Sequence, residues 1–300
     1  MADRRLRIFH AVAKMGSFTR AAESLFMSQP AVTFQIRQLE ERYQVRLFER
    51  GHGQISLSPA GELVMKYAER LIDLSDEMET RLAEMTEEMR GNLNIGASST
   101  LAETFMPTIL SEFNALYPQT RPCLLVANSE TIEQRVASHT LDVGLIDGKA
   151  AGEGVEADVC GEDELVVICA PDYPLAGSDM LTPKQLRDYE YINHEPGSGI
   201  RQRVEAYVRA AGMTPGSLKS QMELGNLESL RKIVATGLGF AITFRQSLAK
   251  EIESGQLVAI SLQPALAGSF SILIPGDRFR SRLVTTFAEF AKQKLRGMTS

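Results

Sequence analysis

The chain has 300 residues, 44% of them hydrophobic and 23% charged, and a formal net charge of −6. That composition is ordinary for a soluble globular protein, and the length exceeds a typical single core, so two or more domains are expected. No apolar run approaches the roughly 18 residues of a membrane span, which excludes an integral membrane protein built on helices.

Charge is unevenly divided. Residues 1–60 carry nine Lys/Arg and five Asp/Glu, residues 61–90 carry four and nine, and the remainder carries nineteen and twenty-four. Basic charge gathered on the first sixty residues of an acidic protein is the footprint expected of a nucleic-acid-binding module. Met1-Ala2-Asp3-Arg4-Arg5-Leu6 opens straight into a helical pattern, without an apolar signal core, so a cytoplasmic location is expected.

Leu6, Ile8, Phe9, Val12 and Ala13 fall at helical spacing and predict a first helix ending before Gly16. Ser17 and Thr19 offer caps for a short second helix, Thr19 to Leu25. Its Ala21-Ala22 pair allows the close helix crossing that a helix-turn-helix needs. Ser28 as N-cap and Pro30 in the first turn open a third helix, about Gln29 to Tyr43. Ala31, Val32, Ile36 and Leu39 face inward. Gln29, Thr33, Gln35, Arg37 and Gln38 form a polar face that is poor in acid.

Gln and Arg suit adenine or guanine edges, and Thr suits a base or a thymine methyl. A solvated face of an ordinary bundle helix reads the same way. The next segments, Val45–Arg50 and Ile55–Ser58, flank Gly51-His52-Gly53 and predict a hairpin, the wing, with Arg50 and His52 near its tip. Pro59 then opens a long helix to about Arg90. Its apolar positions Leu63, Tyr67, Leu71, Leu74, Met78, Leu82 and Met85 make a single seam, which implies pairing with a second chain.

The run Phe9, Ser17-Phe18, Ala21-Ala22, Leu25, Ser28-Gln29-Pro30-Ala31-Val32-Thr33, Ile36, Leu39-Glu40, followed by Leu47-Phe48, Arg50 and Leu57-Ser58, Ala60-Gly61, resembles the N-terminal signature of LysR-type transcriptional regulators. The resemblance implies a winged helix-turn-helix over 1–60, a dimerising linker helix over 61–90 and an effector-binding domain over 91–300. It further implies that Gln29, Pro30, Thr33 and Arg37 face double-stranded promoter DNA, with Ser28 on its backbone, and that the chain forms homodimers and homotetramers. The family often carries more basic residues at the wing tip than Gly51-His52-Gly53.

From Gly91 short apolar strands alternate with helices, an α/β pattern with a parallel sheet. Strands are expected at Leu93–Ala97, Cys123–Val126, Val143–Ile146, Leu165–Cys169, Tyr191–Asn193 and Phe240–Thr243, with Ala102–Tyr117 as one helix. The chain then returns through Ser269–Ile274 to a last helix, Ser281–Leu295. Two lobes joined by double crossovers, as in periplasmic binding proteins, follow: lobe I over 91–162 and 267–300, lobe II over 163–266.

Ligands of such sheets bind beyond the C-terminal strand ends, where helix N-termini favour anions. The residues there are Ser98, Ser99, Thr100, Asn128, Ser129, Asp147, Glu195, Ser198, Gly199, Arg201 and Asn226. Hydroxyls, helix N-termini and Arg201 point to a small anion; plain N-caps and turn glycines are the blander account. The run Glu195–Arg201, with Asn128-Ser129-Glu130, is similar to the branch of the family that regulates sulfur assimilation or carbon fixation. That similarity implies an inorganic oxyanion or a phosphorylated or carboxylated metabolite as effector. Ile200 stands where that branch tends to carry a threonine.

An enzyme is not expected. His10, His52, His139 and His194 have no metal-binding spacing, and the chain has no Gly-x-Ser-x-Gly elbow, Walker loop or nucleotide fingerprint. No cofactor is expected either. Cys123, Cys160 and Cys169, odd in number and without CxxC spacing, read as small core residues, with a redox pair of Cys160 and Cys169 as the alternative.

Overall fold

The computed structural model describes residues 4–25, 27–51, 54–84, 89–276 and 280–298. The chain divides into two units, Met1–Glu88 and Met89–Ser300. In the first unit, α1 (Arg4–Met15) buries Ile8, Phe9 and Val12, and Gly16 ends it at φ +59°. In α2 (Phe18–Ser24) Ala21 and Ala22 are buried, and the Ser17 hydroxyl caps the helix by accepting from Arg20 N. Then α3 (Gln29–Tyr43) starts on Ser28, whose hydroxyl accepts from Ala31 N, and stops at Gln44 in the left-handed region. Its Val32, Ile36 and Leu39 close the core against Phe9 and Phe48.

The wing is β1 (Phe48–Gly51) paired antiparallel with β2 (Gln54–Leu57). Its first strand begins three residues later than the alternation from Val45 predicts. The physical reason is Glu40, whose carboxylate accepts from Leu47 N at 2.8 Å and Phe48 N at 3.4 Å. The backbone before Phe48 is thus satisfied by a side chain of α3 rather than by a ladder. Helix α4 (Pro59–Glu84) follows, and Gly61 is required near its start because a Cβ there would lie 2.1 Å from Leu47 O. Leu63, Tyr67, Leu71, Leu74 and Met78 along α4 are all exposed, as an unpartnered seam would be. The side chain of Leu82 and all of Met85 lie outside the described residues. The helix expected to reach Arg90 does not do so, because Met89 and Arg90 are non-helical and Met89 packs on the α/β core.

The second unit runs β3 (Gly91–Ala97), α5 (Ser99–Thr104), α6 (Met106–Leu116), β4 (Thr120–Val126), α7 (Ser129–Ala137), β5 (Val143–Asp147) and the long β6 (Val155–Cys169). It continues through β7 (Met180–Leu181), α8 (Pro183–Leu186), β8 (Glu190–His194), α9 (Gly199–Ala210), β9 (Lys219–Leu224), α10 (Leu227–Ala235), β10 (Ala241–Phe244), α11 (Ala249–Glu253), β11 (Val258–Leu262), β12 (Leu266–Pro275) and α12 (Arg282–Met298).

Strands order as β4-β3-β5-β12-β6-β11-β7, with β10 also on β6 and β8 paired with β9. The pairs β3–β4 and β3–β5 are parallel, while β12 is antiparallel to both β5 and β6. The early part of β6 pairs only with β12, and its end, Leu165–Cys169, takes on β10 and β11. Strands β6 and β12 therefore carry the chain between two α/β lobes. The single helix expected over Ala102–Tyr117 is broken at Phe105: Pro107 lacks the N–H that would continue it, and the buried Phe105 ring packs on Phe270 at 5.4 Å.

Candidate effector cleft and DNA-binding surface

Gln29, Pro30 and Arg37 are exposed on α3, as is Ser28 at its N-cap, and Thr33 beside them is half-buried. Gln29 Nε2 donates to Thr33 Oγ1 at 3.0 Å, which holds two hydrogen-bonding side chains together at the helix N-terminus. The outer row includes one residue passed over in the sequence, Phe34, which is 57% exposed. Arg50 is placed by its backbone in β1, but its side chain, like the whole of His52, lies outside the described residues.

Four strand-to-helix junctions of the second unit meet around one narrow, solvent-open cleft. Ser98, Ser99, Thr100, Asn128, Ser129, Asp147, Glu195 and Ser198 line it, together with His194, Leu224, Gly225 and Leu227. Ser98 Oγ donates to Asp147 Oδ1 at 3.0 Å, and Ser129 Oγ to Asp147 O at 3.3 Å. Burial pushes the Asp147 carboxyl up to about 7, against the opposing pull of the Ser98 and Thr100 hydroxyls.

The lobes touch at several atoms. Gly199 lies so close to the end of β5 that a Cβ would stand 1.9 Å from Asp147 O. Asn128 caps α7 through Thr131 N and donates from Nδ2 to Pro196 O at 3.1 Å. Ser99 Oγ accepts from Leu227 N at 3.1 Å. The Glu103 carboxylate accepts from Glu228 N and pairs with Arg231 Nη2 at 2.9 Å. The Ser198 and Asn226 side chains cap α9 and α10.

Gly199, Arg201 and Asn226, expected in the cleft, flank it instead. Arg201 is drawn away by two carboxylates, Glu205 at 3.1 Å and Glu223 at 2.7 Å, and it also donates to His194 O. No Lys or Arg stands among the described lining residues. Ile200 is buried in the core and presents nothing to the cleft. His194 was missed as a lining residue, although it directly precedes Glu195 at a strand end. Its Nε2 lies 3.0 Å from Ile242 O, and burial pushes its pKa down to about 4, so it is neutral near pH 7. The cleft therefore offers hydroxyls, amides, helix N-termini and the acidic side chains of Asp147 and Glu195, and no side-chain cation among the described lining residues.

Cys123, expected in the core, is exposed on the edge strand β4, whereas Cys160 and Cys169 are buried on β6, and burial pushes both of those thiols up to about 11, which keeps them protonated and unreactive. Among the described residues no helix is long and apolar enough to cross a membrane.

Two family models match. Residues 4–62 match the bacterial regulatory helix-turn-helix protein, lysR family, and residues 86–296 match the LysR substrate binding domain. The RuBisCO operon transcriptional regulator of Allochromatium vinosum is 34% identical over 260 residues, which cover 87% of this chain and 85% of that protein. Among solved structures, a full-length OxyR variant from Pseudomonas aeruginosa aligns with a TM-score of 0.70 at 20% identity, over 97% of this chain and 93% of that one. The CcmR regulatory domain of Synechocystis PCC6803, solved with 2-PG, aligns with a TM-score of 0.62 at 24% identity. That alignment covers 70% of this chain and 98% of the domain.

Proposed function

Because the chain belongs to the LysR family of DNA-binding transcriptional regulators, we propose that its α3 reads promoter DNA and that a small anion held in the cleft modulates the reading. Gln29, Pro30, Thr33 and Arg37 meet base edges, Ser28 meets the backbone, and Arg50 and His52 of the wing reach phosphate or the minor groove. The exposed row on α4 pairs with a second chain, and two such dimers form a tetramer. The target genes serve carbon fixation, as the name of the Allochromatium vinosum relative suggests for that protein. The protein acts in the cytoplasm, where the promoter DNA lies.

The convergence of neutral donors at the cleft carries this reading. Ser98, Ser99, Thr100, Ser129 and Ser198 surround one space beside the start of α5 and at the N-termini of α7 and α9, where backbone N–H groups favour an anion without a cationic side chain. The 2-PG bound by the CcmR domain is such an anion. Arg201 works from behind, bracing α9 on the carbonyl of His194. Since a ligand shifts an equilibrium only through unequal affinity for two states, the anion acts by binding one arrangement of the lobes better than another.

Titration calorimetry of the full-length protein with 2-phosphoglycolate, glycolate, sulfate and phosphate, with glycerol as neutral control, tests the reading. Binding of an anion that Thr100→Val and Ser129→Ala both weaken supports it. Binding of glycerol alone, or anion binding indifferent to both substitutions, removes the cleft as the effector site.

A further inference from the structure

The outer row of α3 runs Pro30, Phe34, Arg37, spaced four and three residues apart and all exposed. Residues so spaced lie one above another on a helix. Phe34, 57% exposed, stands at the centre of that row, while Val32 and Ile36 on either side turn into the core. The ring stands between Pro30 and Arg37 on the face proposed to meet DNA, so it is placed to touch whatever enters that face. Its surroundings select the occupant: the module carries the basic excess of the chain, nine Lys/Arg against five Asp/Glu over residues 1–60. A polyanion is the partner that charge attracts.

We infer that Phe34 is a base-reading residue, which packs its ring against the C5-methyl of a thymine in the major groove. The inference rests on α3 entering that groove. Of the base edges exposed there, thymine alone among the four bases offers a methyl group, and Phe is one of the side chains suited to it. Gln29, Thr33 and Arg37 supply hydrogen bonds to neighbouring edges, while Phe34 supplies selection for shape and apolarity. It distinguishes thymine from cytosine by contact with the methyl group.

Duplexes selected by the full-length protein from a randomised pool, then scanned by replacing each thymine with deoxyuridine, provide the test. Deoxyuridine removes only the methyl. At one thymine per half-site the loss should be about fourfold, the affinity equivalent of one buried methyl group, and about fifteenfold when both half-sites are changed. With Phe34→Ala that sensitivity should vanish, while the salt dependence set by phosphate contacts stays unchanged. The exposure of Phe34 means that the variant keeps its fold, which circular dichroism verifies. Sequence-selective binding without any deoxyuridine effect, or an effect that persists in Phe34→Ala, overturns the inference while leaving α3 as the reader. Failure to select any sequence overturns the α3 reading as well. A change of oligomeric state in Phe34→Ala, seen by sedimentation, would instead assign the ring to a protein contact and overturn the inference.

Discussion

Asp147, 5% exposed at the end of β5, has a carboxyl that burial raises from an ordinary value of 3.8 to about 7. Between those values the folded protein holds a proton that the unfolded chain has released, so stability falls as pH rises through the window and levels off above 7. At 1.36 kcal/mol for each factor of ten, the ionised form costs on the order of 4 kcal/mol at pH 8 and under half of that at pH 5. Asp147→Asn keeps the shape and can still accept from Ser98 Oγ, but it cannot ionise. It should therefore stabilise the second unit, by up to about 4 kcal/mol at pH 8. At roughly 2–4 °C per kcal/mol for a domain of this size, its Tm should rise on the order of 10 °C at pH 8 and about a third of that at pH 5. Differential scanning calorimetry of the full chain and the variant at both pH values measures this, and the difference between the two proteins cancels the other titrating groups. A Tm difference that does not grow between pH 5 and 8, or a variant less stable than the parent at pH 8, refutes the reasoning.

Gly199→Ala places a methyl 1.9 Å from Asp147 O, a backbone atom that cannot turn aside. Overpacking of that kind costs about 1–3 kcal/mol; urea unfolding of the variant at the parent's midpoint would contradict the close approach. Arg37→Ala should weaken binding to a selected operator by about 1–3 kcal/mol, or relax its specificity at one position. Fluorescence anisotropy at matched salt reads this, and unchanged affinity and specificity remove Arg37 from the interface. Leu74→Glu puts a charge into the exposed row of α4, where Leu74 is 61% exposed. Sedimentation should show smaller assemblies with unchanged circular dichroism, and an intact oligomer would exclude α4 as the pairing surface.

Much of the first unit was legible in the sequence because its signals are local. Ser28, Pro30 and the period of Val32, Ile36 and Leu39 lie within a dozen residues, and capping and periodicity need no distant partner. The wing was misjudged at Val45 because Glu40, several residues back in α3, takes the N–H groups of Leu47 and Phe48. Phe34 was passed over for a different reason. The inward phase of Val32, Ile36 and Leu39 already puts position 34 on the outer face, where a search for hydrogen-bonding side chains passes over an aromatic ring.

In the second unit the strand ends, and with them most of the cleft-lining hydroxyls, followed from alternating apolar runs and the residues after them. The electrostatic character of the cleft did not. Arg201 looked like the counter-charge of an anion, yet Glu223, from a strand begun eighteen residues later, claims it. Asp147 looked like a carboxylate, and only its burial, with Gly199 of α9 packed against its carbonyl, makes it an acid poised near neutrality, against the pull of the Ser98 hydroxyl from 49 residues earlier. The sequence by itself determined which helices and strands form and which polar residues end them, because propensity, caps and periodicity act over a few residues. The tertiary structure decided which of those residues face one another. Burial, pKa and ion pairing depend on distances in space between segments far apart along the chain.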